Sequence, residues 1–271
     1  MKRFIVAFAA AFALTACSDA TAPGTATDLA VSYGKKTPPP PPAALGAVTN
    51  AYFDFSSQSL SATTSGGGGV NGASVNAGVL EGVSVASPIT PVPIYNFPSN
   101  YFVGRFTNTQ TAVVLEVPNG GAKYALEFDF YAIGSWDGIG KQAQQGVFEG
   151  NVFQIGAICA SDPSTVHDIF TSTFSNQMTV QQNYPLPAGS GGGAKALTGS
   201  VASNNLFNGD PTVSVPLFRS VSDATYHMVF SGANPCGSGA VSFVFRTYAP
   251  GQQSAADETW GVDNISIKTD N

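Results

Sequence analysis

The feature that most restricts this chain is the spacing of its turns. Clusters such as SGGGGVNG (65–72), VPNGG (117–121), SWDGIGK (135–141), PAGSGGGAK (187–195) and ANPCGSG (233–239) leave only short runs between them. Glycine (30) and proline (18) interrupt every stretch long enough to make a helix. The runs alternate apolar and polar residues: AYFDFS, AVVLEV, KYALEFDFYAI, VFQIGAI, DIFTSTF, QMTVQQ, TVSVPLF, TYHMVFSG, AVSFVFRTY and WGVDNISI. A period of two sends successive side chains to opposite faces of a strand. In KYALEFDFYAI, Leu126, Phe128 and Phe130 share one face, and Glu127, Asp129 and Tyr131 the other. In AVSFVFRTY, Val241, Phe243 and Phe245 oppose Ser242, Arg246 and Tyr248, with Val244 on the polar side. One apolar and one polar face per strand predicts an all-β, antiparallel β-sandwich of jelly-roll-like form, a single domain over 48–271. The absence of a fixed-period repeat disfavours a propeller or solenoid.

The N-terminus reads differently. Lys2 and Arg3 precede FIVAFAAAFALTA, a run of signal-peptide length that is too short to span a bilayer. It ends at Leu14-Thr15-Ala16-Cys17, which resembles the lipobox of bacterial lipoproteins. That resemblance implies a signal peptide over 1–16, cleavage after Ala16, and lipid on Cys17 that makes the membrane a partner. Ser18, where inner-membrane lipoproteins carry Asp, implies the outer membrane of the cell envelope. The alternative is an ordinary secretory signal cleaved near Ala20. Residues 17–47 read as a tether: small and polar first, then Pro38 to Pro42, a polyproline II spacer of roughly 3 Å per residue.

Export bears on the remaining cysteines. With Cys17 assigned to lipid, Cys159 and Cys236 are left in an oxidising compartment, where a disulfide between them is expected. Two unpaired buried thiols are the alternative. Loss of Lys2 and Arg3 leaves 9 basic against 17 acidic residues, a net −8. With a pI near 4.7, this argues against nucleic acid as a partner.

Two stretches carry a second resemblance. LEFDFYAIGSWDG (126–138) and DETWGVDNISI (257–267) resemble a central strand and the closing strand of concanavalin-like, laminin-G-like and carbohydrate-binding jelly-roll domains. The closing strand poses a problem. By alternation the carboxylate of Asp263 falls on the same side as Ile265 and Ile267, and a buried unpaired carboxylate is costly. The resemblance implies a structural Ca²⁺ held by Asp263, with oxygens from Asp54, Asp257 or Glu258. The alternative is that Asp263 accepts backbone N–H bonds.

EFDF (127–130) also resembles the start of the ExDxxE strand of glucanases, whose carboxylates cleave glycosidic bonds. Glu127 and Asp129 match its first two positions, but the third is Ala132. With two histidines and no GxSxG, a serine-hydrolase triad has no support, and His227 stands alone on its strand. The tryptophan of GSWDG, Trp136, beside Asp137, suits a sugar-stacking platform if exposed and a core residue if not. These residues together predict a non-catalytic binding module, for polysaccharide, at Trp136, Asp137, Glu127 and Asp129, with no required cofactor. A structural or adhesive envelope protein is the alternative, and a glucanase-like hydrolase a third.

Overall fold

The computed structural model describes residues 48–55, 58–61, 72–79, 89–107, 111–139, 150–190, 193–203, 206–207, 210, 223–248 and 257–270. Cys17, the signal peptide, the proline tether and the predicted strand TVSVPLF lie outside these residues. Every named element among them is a strand. In chain order these are β1 (Val48–Phe53), β2 (Ser74–Val79), β3 (Val92–Ile94), β4 (Phe97–Phe106), β5 (Thr111–Val117) and β6 (Lys123–Gly134). There follow β7 (Val152–Cys159), β8 (Asp162–Thr173), β9 (Ala202–Ser203), β10 (Ala224–Ala233), β11 (Val241–Tyr248) and β12 (Glu258–Asp270).

All pairings are antiparallel, and they build two sheets. The seven-stranded sheet runs β3-β4-β12-β6-β10-β9, with β1 also on β12. The five-stranded sheet runs β2-β5-β11-β7-β8. β12 is the organising strand of the larger sheet. One edge pairs with β6 along its length, and the other serves β4 at Trp260–Val262 and β1 at Ile265–Asp270. The sheets pack face to face as a β-sandwich, as the turn spacing predicted.

The core between them follows the alternation. Leu126, Phe128 and Phe130 meet Phe243, Phe245, Phe153 and Ile155, all fully buried. The Phe130 and Phe153 rings stack at 4.0 Å, and Phe128 meets Phe245 edge-on at 4.8 Å. Each such side chain contributes about 1.5–3 kcal/mol on burial. Cys159, in the inward series of β7, forms a disulfide with Cys236 in the turn between β10 and β11. It ties two neighbouring strands of the small sheet to the end of the larger one.

One inference from alternation is corrected. Asp263 does not share a face with Ile265 and Ile267. Opposite β6, Asp263 pairs with Asp129, but the next pair is Ser266 with Glu127, so one residue of β6 faces two of β12. The extra residue is absorbed at Asn264, whose φ of 50° is left-handed, a conformation asparagine tolerates better than most residues. The bulge reverses the phase of the strand. Trp260 and Val262 point inward before it, Ile265 and Ile267 after it, and Asp263 points out with Asp129.

Candidate functional site

The outward face of the seven-stranded sheet divides into two zones. The first is a small apolar cap of Ile94, Phe102, Tyr131, Ile133, Leu206 and Phe207. It exists because Gly104 and Gly261, neighbours on β4 and β12, leave room for the Phe102 ring to lie across bare backbone. A Cβ on either glycine would overlap that ring. Arg105 closes the cap, pairing with Asp210 at 2.9 Å and lying 4.9 Å over the Phe207 ring.

The second zone is polar and adjoins the first along β6. Register decides its membership. β10 sets His227 opposite Asp129, β12 sets Asp263 opposite Asp129, and β1 sets Tyr52 opposite Ser266. The His227 ring spans two carboxylates, with Nδ1 2.9 Å from Asp129 Oδ1 and Nε2 3.1 Å from Glu127 Oε1. Asn264 Nδ2 donates to the other Asp129 oxygen at 2.8 Å, and the Tyr52 hydroxyl donates to Asn264 Oδ1 at 2.7 Å. Tyr52, Asn264, Asp129, His227 and Glu127 thus form one hydrogen-bonded chain across four strands. Its Glu127 end is the most open, with a side chain 46% exposed.

Asp263 sits where the zones meet and is 1% exposed. Its Oδ2 accepts from the Tyr131 hydroxyl at 3.0 Å and its Oδ1 from the backbone N–H of Asn264 at 2.7 Å. Burial pushes its pKa up to about 7. The two hydrogen bonds oppose that rise, and the charges of Asp129 and Asp54 add to it. The Tyr52 hydroxyl is also held above its ordinary value, by burial first and then by Asp54, Asp263, Asp129 and Glu127. Four carboxylates therefore lie near one phenol.

Asp263 thus accepts a backbone N–H, one of the two partners expected for it, and a tyrosine hydroxyl joins that bond. Each of its oxygens accepts one of these hydrogen bonds. Among the described residues, no group of three or more His, Cys, Asp or Glu is arranged to hold a metal ion. Glu258 lies at the start of β12, five residues before Asp263 and roughly 16 Å away at 3.3 Å per residue, and Asp257 just precedes the strand. There Asp257 accepts from the Ser135 hydroxyl, and Glu258 from Asn151 Nδ2 at 2.6 Å.

The predicted sugar platform is also corrected. Trp136 is fully buried, its ring edge-on to Phe130 at 5.4 Å and its Nε1 donating to the Thr259 carbonyl at 2.9 Å. The GSWDG loop folds back over the end of the sandwich because the indole finds both an aromatic neighbour and a carbonyl there. Trp260 is fully buried as well. Asp137 is held in that loop by Gln177, and its backbone N–H donates to Asn151 Oδ1. Glu127 and Asp129 are therefore brought together on the outward face, while Trp136 and Asp137 belong to the loop after β6, with the Trp136 ring on the core side against Phe130. Ala132, at the third position of the glucanase pattern, is an inward, fully buried residue.

Sequence reasoning missed His227, Asn264 and Tyr52 as members of the site. The outward parity of His227 was legible in TYHMVF. Its place opposite Asp129 required knowing that β10 pairs with β6. Comparison with known proteins found no matching family model, no matching curated protein and no matching solved structure.

Proposed function

We propose that this chain is a membrane-anchored, non-catalytic β-sandwich that binds polysaccharide on the polar zone around Glu127, Asp129 and His227. The observation that carries the reading is the hydrogen-bonded chain Tyr52–Asn264–Asp129–His227–Glu127 on an accessible sheet face. Its members hold one another in place, so hydroxyl-rich ligands meet donors and acceptors already oriented. Binding is preferred to hydrolysis because one imidazole spans both carboxylates and Ala132 fills the third position of the glucanase pattern. The anchor follows from the lipobox-like LTAC at Cys17. A structural or adhesive envelope protein is the second reading, favoured by the burial of both tryptophans, which removes the aromatic platforms common at sugar sites.

The test is the exported chain against a panel of soluble polysaccharides, scoring retention and released reducing ends together. Retention without release, lost in both His227→Ala and Asp129→Asn, is the expected result. These contacts are only part-buried and lie on the outward face, away from the core, so both variants should stay folded. Release of reducing ends that disappears in Glu127→Gln would establish hydrolysis instead. Neither retention nor release would leave the structural reading.

A further inference from the structure

Among the described residues, one side of the sandwich is open. There β8 ends its sheet, and β10 has β9 beside it only at Ala224 and Thr225. From Tyr226 to Ala233, β10 has no further strand neighbour on that side among the described residues. Between the two rims lies a cleft of about 310 Å³.

The cause of the cleft is visible in the inward series of β10. Tyr226, Met228 and Phe230 fill the inter-sheet layer, and the next inward position is Gly232, paired with Tyr124. Without a side chain there, the layer is unfilled. Phe230 forms one wall, braced at 5.3 Å by Phe170 and 6.3 Å by Phe128. The Tyr124 ring forms another, lying 4.9 Å from Phe243. On β8, His167 pairs with the core residue Ala157 and so faces the same interior side. A bulge at Ile169 turns that residue into the cleft too. Ser231 and Ala233, both exposed, also border it, at positions of β10 that share the outward parity of His227.

The chemistry of this lining is selective. Two aromatic walls and Ile169 offer flat apolar contact, while His167 and the Tyr124 hydroxyl offer hydrogen bonds. Asp168 is the acidic group of the lining, and no Lys or Arg joins it, so an anion would meet no counter-charge. The volume is at the lower end of small-ligand sites, about 300–1,000 Å³, and suits one ring rather than a chain. A neutral sugar has such a form, with an apolar ring face and a hydroxylated edge. We infer that this side of the sandwich is a binding site for a single neutral sugar ring, stacked on Phe230 and Tyr124 and hydrogen-bonded by His167 and the Tyr124 hydroxyl. It shares a ligand class with the proposed function but uses none of the residues of the outward face.

The test is titration of the full chain with neutral monosaccharides and their methyl glycosides, followed by NMR of the aromatic side chains. Saturable shifts of the Tyr124 and Phe230 signals are expected with at least one sugar. Gly232→Phe, which places a ring on the inward side of β10 beside Tyr124, and His167→Ala should each weaken binding about tenfold or more. The saturable shifts of Tyr124 and Phe230, which lie in the cleft, should persist in His227→Ala. Gly232→Ala, whose added methyl approaches Tyr124 only to 3.6 Å, replaces the bulkier variant should that one fail to fold. No saturable binding by any sugar overturns the inference, as does equal binding in the filled variants. Monosaccharide binding lost in His227→Ala but kept in Gly232→Phe overturns it while sustaining the outward-face reading. Polysaccharide retention lost in His227→Ala, with monosaccharide binding intact, separates the two sites.

Discussion

Asp263→Asn should alter how stability follows pH. In the native protein burial favours the neutral acid, lifting the pKa of this carboxyl from 3.8 to about 7. The folded state therefore holds the proton more tightly than the unfolded chain does. Stability from this group is fully present below the unfolded pKa near 3.8. It falls as pH rises through the interval up to about 7, and is level above it. At 1.36 kcal/mol per pKa unit, the interval corresponds to about 4 kcal/mol, a large share of the 5–15 kcal/mol typical of a domain. Asparagine keeps the shape and an oxygen for the Asn264 N–H or the Tyr131 hydroxyl, but has no proton to lose. Urea unfolding of both proteins at steps from about pH 4 to about pH 8 isolates the effect, because every other titrating group appears in both curves. The stability of Asp263→Asn relative to the parent should climb by up to about 4 kcal/mol across this range and then hold constant. Parallel profiles would refute the claim that burial of this carboxyl, through the bulge and the cap beside it, dominates its protonation.

Three further outcomes follow from packing and covalent structure. Reducing the Cys159–Cys236 disulfide, or replacing both cysteines by alanine, opens a link spanning 77 residues of sequence and should cost about 4 kcal/mol in denaturant titrations. Trp136→Ala should cost about 3–5 kcal/mol in a thermal melt, and the emission of both native tryptophans should resist acrylamide quenching until the protein unfolds. Gly261→Ala drives a methyl into the Phe102 ring and should cost about 1–3 kcal/mol or more, with part recovered when Phe102→Leu is added to the same chain.

What the sequence made legible was whatever depends on strict alternation or counting. The strands β5, β6, β7 and β11, the inward phenylalanines of β6 and the pairing of Cys159 with Cys236 all belong there. Features set by contacts between distant segments were not legible. β4 lies in FPSNYFVGRF, whose first half is exposed, and it is a strand because β3 and β12 flank it. QMTVQQ alternates like a strand yet forms turns. There Gln182 accepts from the Ser175 N–H and donates to the Thr198 carbonyl, serving loop backbone instead of a ladder. Trp136 was ambiguous because a loop tryptophan reads alike whether its loop stands free or folds back. His227 was passed over because isolation along the chain says nothing of the strand opposite.

The extra residue at Asn264 acts on β12 as a frameshift acts on a message. Every position after it is read in the opposite phase, so a two-residue clock run through DETWGVDNISI reports the wrong side for Asp263. The consequence concerns length rather than chemistry. Replacing Asn264 keeps the count and leaves Ile265, Ile267 and Thr269 facing the core. Deleting it restores the uninterrupted clock, and then either the tryptophan half or the isoleucine half of the strand must turn inside out. For this strand the number of residues between Asp263 and Ile265 is specified more stringently than their identity, and evolution can substitute there far more readily than it can insert or delete.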